Sequence, residues 1–143
     1  MKKKLQTAYI AMLTALMISC TAANPVKPLA KDQWINARIT YYTPESSDGK
    51  RVAWSKVKAA KEGVTIAAHP KLPFGTKVLI PELKGVVGDG TFIVQDRGTA
   101  VTSRKASRGK TDVIDVFVNS ERKLRNITKT KPEYMKIHII LHK

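Results

Sequence analysis

Short apolar or alternating runs recur along this chain, separated by turn-forming residues. Six read as strands: Trp34 to Tyr42, Val64 to Ala67, Lys77 to Ile80, a run that starts at Phe92 and ends on Asp96, Asp112 to Val118, and Lys136 to Leu141. Successive strand side chains point to opposite faces. Thr40 and Tyr42 are therefore expected on one face of the first strand, with Ile39 and Tyr41 on the other. Breakers divide the runs. Pro44 to Gly49 forms a loop, Pro70, Pro73 and Gly75 stiffen the connection before the third strand, Pro81 ends that strand, and Gly85, Gly88 and Gly90 mark a turn. Two short helices are expected. One runs from Val52 to Lys61, with Ala53, Val57 and Ala60 on one side and Gly63 as its stop. The other is capped by Asn119 or Ser120 and runs to about Asn126. The pattern predicts a mainly β fold of six strands with one or two short helices. Closure into a barrel would leave no exposed edges.

The N-terminal residues do not share this pattern. Met1 to Lys4 is basic, and Ala8 to Ser19 is apolar and uncharged, as in an export signal. The lone cysteine, Cys20, follows at once. Leu16-Met17-Ile18-Ser19-Cys20 resembles a bacterial lipobox, with Met17 where leucine is usual, and implies cleavage before Cys20 and lipidation of its thiol. The alternative is ordinary cleavage after Ala22 or Ala23. The expected organisation is a signal peptide over 1–19, a lipid-attachment site and Pro-containing tether over 20–33, and one domain over 34–143. Residues 1–19 carry three lysines and no acid, so the net charge of +15 becomes +12 after cleavage. The basicity belongs to the domain and calls for an anionic partner or surface. Export argues against nucleic acid and towards cell-wall polymers. The expected location is the cell envelope, facing the periplasm from the outer membrane in a Gram-negative cell.

Two aspartates stand out against this background. Asp96 ends the Phe92 run in Gln95-Asp96-Arg97-Gly98, and Asp115 interrupts the Val-Ile-Val-Phe run. A carboxylate among such neighbours must be hydrogen-bonded or held protonated. Either role, turn-former and structural hydrogen-bonder or catalytic pair, fits each residue alone. Tyr42 can stack on a sugar or fill the core, and Trp34 and Trp54 carry the same ambiguity. His69 can bond sugar or Asp96, or serve as a structural histidine beside Pro70. His138 and His142 have helical spacing but lie in or beside a strand, and no ligand cluster accompanies them, so neither a metal nor another cofactor is expected. The run Arg104-Lys105-Ala106-Ser107-Arg108-Gly109-Lys110 is either a solvated loop or an electrostatic clamp on wall anions.

Several phrases resemble a known family. Ala67-Ala68-His69-Pro70, Leu72-Pro73-Phe74-Gly75-Thr76-Lys77-Val78, Gln95-Asp96-Arg97-Gly98 and Ile114-Asp115-Val116-Phe117 are similar, in this order, to the three-aspartate (3D) domain and to its relative, the rare lipoprotein A domain. The likeness covers Ala37 to the C-terminus. It implies a six-stranded double-psi β-barrel, related to membrane-bound lytic transglycosylase A and the expansins. It also implies peptidoglycan glycan strands as partner, cleaved by lytic transglycosylation to a 1,6-anhydro product. Asp115 takes the position of the catalytic acid and Asp96 that of the second aspartate. Thr40, Tyr42, His69, Arg97 and Gly98 are the groups expected to bind substrate. The first aspartate of the triad is His69 here, which is the rare lipoprotein A pattern. That departure carries the alternative, a wall-binding or wall-loosening module that grips glycan without cutting it. A monomer is expected, with the membrane touched only through the lipid.

Overall fold

A computed structural model of the chain describes residue 29 and residues 32–141. The leader, Cys20 and His142 lie outside the described residues. Six strands form a closed barrel: β1 (Gln33–Tyr42), β2 (Thr65–Ala67), β3 (Lys77–Leu79), β4 (Thr91–Asp96), β5 (Asp112–Phe117) and β6 (Tyr134–Ile140). Around the barrel the order is β1-β5-β2-β4-β3-β6. The pairs β1–β5 and β2–β4 are parallel and the other four are antiparallel. The six runs expected from the sequence are these six strands, within two residues at each end. The mixed pairing order is compatible with a double-psi barrel.

Two apolar clusters follow from strand alternation. Inward-facing Ile39, Ile66, Val78, Phe92, Val94, Ile114, Val116, Ile137 and Ile139 fill the barrel. A second cluster lies outside its wall, where Tyr42, Ala67, Val113 and Phe117 meet Ala60 and Val101 from the covering loops. Alternation thus separates Ile39 and Tyr41, which pack on the barrel interior, from Tyr42, as expected.

Two helices flank the barrel. Helix α1 (Thr99–Ser103) is a single short turn whose buried residue is Val101. It was not expected, because five residues give no periodicity to read. Helix α2 (Glu121–Thr130) starts at Ser120, whose hydroxyl accepts the Lys123 N–H, and runs four residues past the expected end. The helix expected over Val52 to Lys61 is absent. That segment is a chain of turns whose backbone donors go elsewhere: Ala53 N–H to the Asp96 carboxylate, Trp54 N–H to Gln95 O and Ala60 N–H to Lys50 O. These tertiary partners replace the bonds a helix would supply to its own carbonyls. The close crossing of Gly63 and Gly88 anchors the end of this segment. A Cβ on Gly88 would stand 2.8 Å from Gly63 Cα, and Gly88 also has φ +66°.

Candidate active site

The two aspartates meet because of one residue of β2. Ala67 pairs with Asp115 of β5 on one side and with Asp96 of β4 on the other. Asp115 reaches the outer face by simple alternation, since Ile114 and Val116 point into the core. Asp96 does not, because Phe92 and Val94 point inward and strict alternation would send Asp96 after them. The β2–β4 register shifts between Ile66 and Ala67, so Gln95 is skipped and Asp96 faces the outer side. Such a bulge re-aims a side chain. Thr65 fixes it by donating its hydroxyl to Gln95 Oε1 at 2.6 Å.

The carboxylates are held differently. Asp96 accepts three hydrogen bonds: Tyr42 Oη–H to Oδ2 at 2.9 Å, and the N–H groups of Ala53 (2.9 Å) and Arg97 (2.8 Å) to Oδ1. Asp115 accepts one, from Thr40 Oγ1 at 2.8 Å, because β1 and β5 run in parallel with Thr40 opposite Asp115. Burial raises the Asp115 carboxyl from 3.8 to about 6, and the Asp96 charge pushes the same way against the Thr40 hydrogen bond. Burial, with the charge and hydrogen bond of Asp96, pushes the Tyr42 phenol far above its usual value, so it remains a donor.

A cleft of about 200 Å³ opens over the pair. Tyr42, Ala67, Asp96 and Asp115 form its base, and Ser46, Ser47, Arg97, Gly98, Thr99 and Ala100 line the rest. A loop wrapping from Ser47 to Ala53 bounds a second hollow that shares Asp96 and Arg97. The cleft has the parts of an acid–base site: a carboxyl that exchanges its proton near neutral pH, a second carboxylate beside it and an opening to solvent.

Of the residues expected to bind substrate, four adjoin the cleft and one lies apart. Thr40 and Tyr42 serve the carboxylates directly. Tyr42 is buried edge-on against Phe117, at 5.3 Å between centroids, so its ring is core and its hydroxyl is the part that meets Asp96. Gly98 lines the opening. Arg97 contributes its backbone N–H to Asp96, while its guanidinium ties down the β2–β3 connection. Nη1 donates to Ala68 O and Nη2 to Leu72 O, and the group lies 4.0 Å from the Phe74 centroid. His69 lies apart. Its Nδ1 accepts the Lys71 N–H, and burial with the charges of Lys71 and Arg104 lowers its pKa, so the ring is neutral. The hydrogen bonds to Asp96 come from Tyr42, Ala53 and Arg97, not from His69. Trp54 stacks on Phe74, while Trp34 is exposed and stacks on His138.

Sequence reasoning missed the Ala53 N–H and the serines of the Ser46-Ser47 turn. Nothing in a Pro-Glu-Ser-Ser-Asp-Gly stretch says more than loop. The basic run is also more ordered than a loop. It holds a 3₁₀ turn over Lys105–Ser107, with the Ser107 hydroxyl buried against Arg104 O and Thr111 O. Comparison with known proteins found no family model and no curated protein that matches the chain.

Proposed function

We propose that this protein is an exported, lipid-anchored double-psi β-barrel of the three-aspartate and rare lipoprotein A type, and that it cleaves the glycan of peptidoglycan as a lytic transglycosylase. The observation that carries this reading is Asp115, an outward-facing carboxyl in an open cleft with a pKa of about 6. Lytic transglycosylation needs one such group. As the acid it protonates the glycosidic oxygen between MurNAc and GlcNAc. As the resulting carboxylate it takes the proton of the muramic C6 hydroxyl, whose oxygen attacks C1 and closes the 1,6-anhydro ring. Water is not consumed, and one carboxyl serves both steps. Thr40 orients Asp115. Burial keeps the proton on Asp115, and the charge of Asp96, which three donors fix in place, adds to that effect.

Digestion of purified peptidoglycan, read by mass spectrometry, tests the proposal. Anhydro-muramyl fragments that vanish with Asp115→Asn are the expected result. Reducing-end fragments would mean hydrolysis instead. The second reading, a module that grips glycan without cutting it, is favoured by His69, which stands where the family's first aspartate is expected and lies within the charge influence of Lys71, Arg104 and Asp112. It predicts no fragments from either protein and equal binding of both to sacculi.

A further inference from the structure

The barrel wall opposite the cleft has an unusual surface. In a ring of six strands ordered β1-β5-β2-β4-β3-β6, β6 lies across from β2. The two large hydrophobic side chains exposed among the described residues, Trp34 (48%) and Tyr134 (49%), both lie on the outer face around β6. The pairing registers place Trp34, His138 and Leu79 in one row across β1, β6 and β3, with Ile140 beside Lys77 in the next row. Leu79 and Ile140 are half-buried and face away from the interior, since Val78 and Ile139 point into it.

Cations interleave with this apolar row. Lys77 and Lys136 are exposed, and Lys136 Nζ lies 5.6 Å from the Trp34 ring centroid. His138 stacks flat on Trp34, with centroids 4.7 Å apart and planes 10° from parallel. Arg38 lies 5.9 Å from the Tyr134 centroid and is paired with Glu133.

We infer that this face is a docking surface for an anionic phospholipid bilayer. Trp and Tyr settle at the headgroup level, where their rings are amphipathic, and Lys side chains alongside reach lipid phosphates. The domain's excess of positive charge supplies the longer-range attraction. The flat His138–Trp34 stack covers one face of the indole, and the Lys136 ammonium lies over the ring, so aromatic and cation meet the surface together. Docking through β6 turns β2, and with it Asp96 and Asp115, away from the membrane. The docking stands on the surface alone; the consequence that the cleft then faces the wall rests on the glycan reading above.

The test uses residues 20–143 with Cys20→Ser, the processed chain without its lipid, on vesicles of phosphatidylglycerol and phosphatidylcholine whose acyl chains carry bromine, a short-range quencher of tryptophan emission. Emission is expected to be quenched on these vesicles and much less on neutral phosphatidylcholine vesicles. Trp34→Phe should leave only unquenched Trp54 emission. Lys77→Gln with Lys136→Gln should lower the docked-to-undocked ratio roughly 25-fold, at about fivefold per charge. Circular dichroism checks that each variant folds. Quenching that is equal on neutral vesicles, or unchanged in Trp34→Phe, overturns the proposal. So does loss of sacculus binding by Trp34→Phe without any quenching in the parent, which would make the face a sugar platform. Cleavage of soluble glycan fragments is unaffected by Trp34→Phe, so failure of the docking and failure of the glycan reading are separable.

Discussion

The end of β4 and the middle of β5 each present an aspartate to the same cleft, yet they build opposite environments around it. At the end of β4, a bulge, a tyrosine from β1 and two backbone N–H groups converge on Asp96. In β5, Asp115 stands between inward-facing Ile114 and Val116 with a single threonine hydroxyl for company. Three donors make the first carboxylate a fixed part of the framework. A dry surrounding, opposed by one donor only, raises the pKa of the second to about 6, the property the proposed acid–base role requires. Burial and the number of donors, not the residue type, separate the two carboxyls.

Substitutions should therefore act in opposite directions at the two positions. The largest effect is expected on turnover. Asp115→Asn should reduce glycan cleavage by roughly 10²–10⁴-fold, the usual contribution of a general acid–base group, with the circular dichroism spectrum unchanged. In the parent, the rate should decline about tenfold per pH unit above a pH near 6, where Asp115 loses its proton. A flat profile from pH 5 to 8 would remove Asp115 from the acid role.

Stability comes next. Asp96→Ala strands Tyr42 Oη, Ala53 N–H and Arg97 N–H, and should destabilise the fold by roughly 2–4 kcal/mol in urea unfolding. Asp115→Asn should do the reverse. The folded value of Asp115, about 6, lies above its usual 3.8. Between these values the folded chain keeps the proton that the unfolded chain has lost, so stability falls as pH rises through that window and levels off above it. The asparagine variant escapes this loss. It should be more stable than the parent at pH 8, by up to about 3 kcal/mol, and equal to it near pH 3. A variant less stable than the parent at pH 8 would show that Asp115 holds the fold together, as Asp96 does. The smallest effect belongs to Tyr42→Phe. It keeps the ring against Phe117, removes one donor, and should cost about 1 kcal/mol by thermal or urea unfolding.

Much of this architecture was legible in the chain. All six strands carry their own apolar signal, Ser120 marks the start of α2, and Asp115 betrays its setting through the residues that flank it. The failures have a common cause. The Val52 to Lys61 segment has helical spacing, but its N–H groups find partners on β4 and in the preceding loop, and those partners are distant in sequence. Tyr42 reads as either a stacking or a core residue until the barrel buries its ring and brings Asp96 to its hydroxyl, 54 positions away. His69 sits beside the motif residues in sequence and beside Lys71 and Arg104 in space.

By itself, then, the sequence determined where strands form, which of their faces is apolar, and that two carboxylates sit at costly positions, because period, breakers and flanking residues are local properties. Only the tertiary structure decided that both aspartates flank Ala67 and face the same cleft. Strand order and the one-residue shift at Gln95 set that outcome. A register shift of one residue reverses the face of a side chain, and register is fixed by contacts between segments far apart in the chain.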